Sequence, residues 1–139
     1  MRIRFGDLII SPVYESEAVG FKGRNFYNLV VGFDTSDPYE TIADVLNEIE
    51  FSFGRSRGRK HFCSRTLDLD LLLYGDSVIE SRNLRLPRDD VLDYAFVLKP
   101  LAEVAGDQLH PVLGRSFREL WEAFDNQGQN LWRIDMEIC

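Results

Sequence analysis

Cysteine and histidine are scarce in this 139-residue chain: Cys63 and Cys139, His61 and His110. Two cysteines are too few for a disulfide scaffold, and with two histidines no zinc set is expected. No apolar run reaches the roughly 20 residues that a membrane-spanning helix needs. Met1 is followed by Arg2-Ile3-Arg4 and Gly6-Asp7, with no apolar signal core, so the expected address is cytoplasmic, with no membrane partner. Neither G-x-x-x-x-G-K-S/T nor G-x-G-x-x-G occurs, so neither a P-loop nor a Rossmann cofactor site is expected. Positive charge is also in deficit. Sixteen Lys and Arg stand against 23 Asp and Glu, a net charge of −7, which argues against a nucleic-acid partner. The 45% apolar and 28% charged residues suffice to bury a core, and the length fits one domain over residues 1–139.

The little positive charge present is concentrated. Residues 51–66 hold Arg55, Arg57, Arg59, Lys60 and Arg65 and no acid. A solvated loop is one reading of such a run. Its neighbour suggests another: Leu67-Asp68-Leu69-Asp70-Leu71-Leu72-Leu73-Tyr74 follows at once. On a strand, Asp68 and Asp70 share one face, while Leu67, Leu69 and Leu71 turn to the core. Two acids opening a buried central strand need partners. Mg²⁺ suits them, because it takes oxygen ligands and is completed by substrate phosphates. Guanidinium forks on Arg55, Arg57 and Arg65 match phosphate oxygens.

Around this segment the pattern predicts strands over Leu8–Tyr14, with Pro12 marking an edge or bulge, over Phe26–Phe33 and over Leu67–Tyr74. Asp37-Pro38-Tyr39-Glu40 reads as a helix start. Ile42, Val45, Leu46, Ile49 and Phe53 form its apolar face, and Gly54 ends it. Ser77–Ile79 is expected to pair back as a short strand, and Leu84–Asp90 to form a loop. Tyr94–Val104 reads as a helix with a boundary or kink at Pro100. Ser116 caps a last helix, and Leu131–Ile134 is a terminal strand. The order implies an α+β class, a ferredoxin-like α/β sandwich with a mostly antiparallel sheet, whose opening βα unit is expected to be missing.

The run Arg65-Thr66-Leu67-Asp68-Leu69-Asp70-Leu71-Leu72-Leu73-Tyr74-Gly75 closely resembles the signature of the 6-hydroxymethyl-7,8-dihydropterin pyrophosphokinases, folate-pathway diphosphokinases. Ser11-Pro12-Val13-Tyr14-Glu15-Ser16, Phe26-Tyr27-Asn28 and Phe96-Val97-Leu98-Lys99-Pro100-Leu101-Ala102-Glu103 resemble further family segments in the same order.

The resemblance implies that ATP gives its pyrophosphoryl group to the pterin's hydroxymethyl oxygen and that AMP leaves. It implies that Asp68 and Asp70 hold two Mg²⁺ ions on the ATP phosphates and that Arg55 and Arg65 engage the transferring group. Arg57 falls in the family's catalytic loop, and Glu50 and Leu71 fall on the nucleotide side. For the pterin it implies Asn28 and Ser16 as polar contacts, with Phe96 and Phe62 as the two faces of an aromatic sandwich. A monomer or weak homodimer is expected. Three positions depart from the family pattern: Cys63-Ser64 replaces Gly-Pro, Pro87-Arg88 replaces Pro-His, and Tyr94 stands where Arg is usual. The competing reading is an impaired or non-catalytic pterin- and nucleotide-binding homologue.

Overall fold

The computed structural model describes residues 6–17, 25–56, 68–125 and 128–135, with the side chains of 53–56 outside the description. Its strands are β1 (Ile9–Ile10), β2 (Val13–Ser16), β3 (Phe26–Asn28), β4 (Val31–Gly32), β5 (Ile79–Glu80), β6 (Arg85–Leu86) and β7 (Leu131–Ile134). Its helices are α1 (Tyr39–Ser56), α2 (Asp90–Asp93), α3 (Ala95–Ala105) and α4 (Phe117–Glu122). Every strand pairing among the described residues is antiparallel, as the α+β, ferredoxin-like expectation requires. No helix among them is long and apolar enough to cross a membrane.

The first two expected strands are each split in two. β1 pairs with β4 through Ile10 and Val31, and β2 pairs with β3 through Tyr14 and Asn28. Between those pairs lie Ser11, Pro12 and Val13 on one side but only Leu29 and Val30 on the other. That one-residue excess is a β-bulge, and Pro12, which has no N–H to give a ladder, sits in it. Ser11 holds the bulge closed. Its N–H donates to the Val30 carbonyl, and its Oγ accepts from the Val30 N–H, both at 2.9 Å. Asn28 lies immediately beside this distortion. β7 completes the sheet in the order β3-β2-β7.

The largest departure concerns residues 68–74, which form no strand. The expectation of a buried central strand is therefore wrong for this segment. Alternation of leucine and aspartate defines faces, but a strand exists only when a neighbour supplies a ladder. Among the described residues, its backbone partners come from single bonds: Arg88 N–H to the Leu72 carbonyl at 3.0 Å and Leu69 N–H to Glu50 Oε1 at 2.6 Å. Asp68 and Asp70 are exposed rather than buried. Leu72 and Leu73, consecutive in sequence, both pack against the core of Val30, Val91, Leu98, Leu101 and Phe117.

Smaller corrections follow the same logic. α1 runs through Gly54 to Ser56, since one glycine weakens a helix without ending it. Ile79–Glu80 pairs with Arg85–Leu86, so the segment read as a loop contributes a strand. α3 continues through Pro100 without a boundary. The cap at Ser116 forms as expected, with its Oγ accepting the Glu119 N–H and the Glu119 carboxylate accepting the Ser116 N–H.

α3 packs on β2 and α4 packs on α3. Two contacts fix the first of these interfaces. The Tyr14 hydroxyl donates to Glu103 Oε1, and Lys99 Nζ, paired within α3 to the same carboxylate at 3.8 Å, lies 5.8 Å from the centroid of the Tyr14 ring. Burial, reinforced by Glu103, pushes the Tyr14 phenol up to about 12. Gly32 gives the closest approach: a Cβ there would stand 2.8 Å from Val104 Cγ1. Together these hold β3–β4 and α3, which carry Asn28 and Phe96, against each other.

Candidate active site

One cavity of about 730 Å³ opens between the β1–β4 ladder, the 68–74 segment and α3. Of the residues singled out from sequence, the structure brings Asn28, Asp68, Asp70, Leu71 and Phe96 to its wall. Ser16 and Glu50 are not among the described lining residues. The side chain of Arg55, and Arg57, Phe62 and Arg65 entirely, lie outside the described residues.

Asn28 ends β3 beside the bulge. Its side-chain Nδ2 is buried and has no hydrogen-bond partner among the described residues. A buried donor left unmatched is costly, so an acceptor from a ligand is the natural complement. Ser16 Oγ, on the adjacent strand, is orphaned in the same way.

Phe96 lies in the first turn of α3, whose start is pinned from the far end of the chain. Gln129 Oε1 accepts the Ala95 N–H at 2.8 Å, and Gln129 Nε2 donates to the Asp93 carbonyl at 3.1 Å. Tyr94, the N-cap residue, stacks on Phe96 with centroids 5.0 Å apart and planes 15° from parallel. One face of Phe96 is thereby covered, leaving the other for a flat ligand. Sequence reasoning treated Tyr94 only as a departure. Its neighbourhood to Phe96 is a local signal that was available.

The cavity wall also carries acidic side chains. Asp7, Asp34, Asp68 and Asp70 line it, and no Lys or Arg does so among the described residues. No polyphosphate enters such a wall without cations. Glu50, half-buried near the end of α1, holds the Leu69 N–H between the two aspartates and so places both. Among the described residues no third His, Cys, Asp or Glu joins Asp68 and Asp70 in a closed metal cage. Two exposed carboxylates without a cage fit Mg²⁺, which binds through one or two carboxylates and keeps positions for waters and phosphate oxygens. Arg88, which the sequence marks only as a departure from the family's Pro-His pair, reaches this segment. Its guanidinium lies 3.9 Å from Asp70 and 3.3 Å from Asp90.

Comparison with known proteins bears on this arrangement. The chain is 38% identical over 115 residues to a 2-amino-4-hydroxy-6-hydroxymethyldihydropteridine pyrophosphokinase of Synechocystis, covering 83% of this chain and 58% of that protein. It is 37% identical over 120 residues to the Pseudomonas aeruginosa protein of the same name, covering 86% and 73%. A folic acid synthesis protein of Pneumocystis carinii is 39% identical over 113 residues, covering 81% of this chain but only 15% of the longer protein. Residues 3–106, which include the bulged hairpin, the paired aspartates and all of α3, match the pattern described as 7,8-dihydro-6-hydroxymethylpterin-pyrophosphokinase, and the chain belongs to that family.

Proposed function

We propose that this chain transfers the pyrophosphoryl group of ATP to the hydroxymethyl oxygen of 6-hydroxymethyl-7,8-dihydropterin. In this step the hydroxyl oxygen bonds to the β-phosphorus and gives up its proton. The bond from the β-phosphorus to the α–β bridging oxygen breaks, and AMP leaves. The observation that supports the reading is the lining of one cavity. An orphaned amide and an aromatic face, Asn28 and Phe96, lie on its wall together with the paired carboxylates Asp68 and Asp70.

The residues divide the work accordingly. Asn28 donates to an acceptor on the pterin edge, and Ser16 supports the same end. Phe96 stacks on the ring, with Phe62 as its opposite face. Flat heteroaromatics need such apolar faces plus a few directional polar groups. Asp68 and Asp70 hold Mg²⁺, two ions in the full reading, and bound Mg²⁺ supplies neutralisation of phosphate charge. Arg55 and Arg65 answer charge on the moving group, and Glu50, Arg57 and Leu71 complete the nucleotide side. Such transfer depends chiefly on positioning and charge stabilisation. The proposal takes the protein as a monomer or weak homodimer acting in the cytoplasm.

The test is single-turnover transfer from labelled ATP to 6-hydroxymethyl-7,8-dihydropterin with Mg²⁺, comparing wild type with Asp68→Asn and Asp70→Asn. Wild type should form AMP and the pterin pyrophosphate in equal amounts. Both variants should lose transfer by at least about 10²-fold while remaining folded, because the two side chains are exposed. Binding of both ligands by wild type with no transfer would replace the enzyme by a binding homologue.

A further inference from the structure

The acidic wall already contains one cation contact. Among the described residues, the ion pairs to its aspartates comprise a single one, Arg88 to Asp70 at 3.9 Å. Arg88 does not reach there by chance of a long side chain alone. Its backbone N–H is bonded to the Leu72 carbonyl at 3.0 Å, two residues beyond Asp70. Its Nε donates to Asp90 Oδ2 at 3.3 Å, at the first turn of α2. The main chain thus ties Arg88 to the aspartate-bearing segment, and the side chain is shared between one aspartate of the cavity and one outside it.

That sharing gives the guanidinium two places to rest. When Asp70 turns to a divalent cation, the pair with Arg88 must open, because a like charge beside the new cation is unfavourable. Asp90 remains as a tether, so Arg88 is not released to solvent. We propose that Arg88 is the resident counter-ion of Asp70: it holds that carboxylate in the metal-free protein and yields it to a divalent cation while Asp90 retains the guanidinium. This rests on the reading of Asp70 as a metal ligand. Its consequence is selective. The site resists a lone cation more than one arriving with phosphate, because phosphate oxygens offer the displaced guanidinium a new partner.

Mn²⁺ is the probe, titrated by electron paramagnetic resonance against the full chain, first without nucleotide. Arg88→Gln should bind Mn²⁺ roughly two- to fivefold more tightly than wild type, the scale of a half-exposed ion pair. Arg88→Lys, which keeps the charge but not the fork, should fall between them. Arg85→Gln is the control. Arg85 sits on the same hairpin but pairs with Glu80 and Asp89, so its loss should leave Mn²⁺ affinity unchanged. With ATP present, the difference between Arg88→Gln and wild type should shrink. In parallel, the side-chain Nε–H resonance of Arg88 should shift on saturation with diamagnetic Mg²⁺, which a merely structural arginine would not show.

Equal effects of Arg88→Gln and Arg85→Gln would reduce Arg88 to general charge and overturn the proposal. Unchanged Mn²⁺ affinity in Arg88→Gln, or no measurable Mn²⁺ binding in either protein without ATP, would also overturn it. Asp70→Asn separates this from the metal reading. If Asp70→Asn abolishes Mn²⁺ binding, only the counter-ion role has failed; if Asp70→Asn binds Mn²⁺ like wild type, the metal assignment itself falls.

Discussion

Glu50 Oε1 accepts the backbone N–H of Leu69 at 2.6 Å, so a carboxylate on α1 sets the position of the residue between Asp68 and Asp70. The resemblance alone placed Glu50 on the nucleotide side. The geometry ties it to the segment that carries the two aspartates proposed to hold metal. Glu50→Gln keeps a carbonyl acceptor and should behave almost as wild type. Glu50→Ala should lose about 1 kcal/mol of stability, the net value of one hydrogen bond, and bind Mg²⁺-ATP several-fold more weakly. Urea denaturation and calorimetry measure the two effects. Undiminished Mg²⁺-ATP affinity in Glu50→Ala would remove the positioning role.

Asn28 should show the opposite balance. Its Nδ2 is desolvated and unmatched among the described residues. With no bond from Nδ2 to lose among the described residues, Asn28→Ala should cost little in thermal midpoint. Pterin affinity should fall by about tenfold or more, since one directional hydrogen bond of roughly 1.4 kcal/mol is lost. Calorimetric unfolding and fluorescence titration with the pterin check both halves. A clear loss of stability with unaltered pterin binding would mean that the amide serves the fold.

What the sequence made legible was local. The Ser116 cap needs only Ser116 and Glu119, and it formed as read. Pro12 announced a bulge because a missing N–H interrupts any ladder, and the register shift lies there. Of the residues that the family motif singles out, Asn28, Asp68, Asp70, Leu71 and Phe96 lie on one cavity wall, and Ser16 and Glu50 do not. What stayed hidden was pairing between distant segments. The Leu-Asp alternation of 68–74 looks like a strand from inside, yet strand formation depends on what lies alongside. Arg88 and Asp70 share no period or motif, so only the folded hairpin of β5 and β6 with the turn after it reveals their contact. Gln129, which pins the start of α3, is equally invisible in sequence.

The stack of Tyr94 on Phe96 carries a third prediction. With centroids 5.0 Å apart and nearly parallel planes, Tyr94 fixes the ring that is to receive the pterin. Tyr94→Phe keeps the stack and should match wild type. Tyr94→Ala frees Phe96 to rotate and should raise the KM for the pterin by roughly two- to tenfold, the range of one aromatic pair. The kcat should change less, because the proposal assigns the reacting phosphates to Asp68 and Asp70 rather than to Phe96. Steady-state kinetics with the pterin varied at saturating ATP tests this. A fall in kcat with constant KM would assign Tyr94 to the nucleotide instead.

His110 predicts a pH dependence of stability that is independent of catalysis. The ring is buried at 4% exposure, lies edge-on to Phe117, and its Nδ1 accepts the N–H groups of Val112 and Leu113, each at 3.1 Å. Burial lowers its pKa from the ordinary value of 6.5, and both accepted bonds require an unprotonated Nδ1. The unfolded chain therefore takes up the proton first as pH falls, and stability rises with pH wherever it does so. The contribution of the neutral ring is complete above about pH 6.5 and is lost as pH drops from there toward the lowered folded value. His110→Asn places an amide oxygen near the position of Nδ1, accepts from the same turn and cannot titrate in this range. Urea midpoints measured from pH 7.5 to 5 should fall more steeply for wild type than for His110→Asn, the carboxylates contributing equally to both. Parallel profiles would show that the imidazole gains its proton without breaking the turn at residues 110–113.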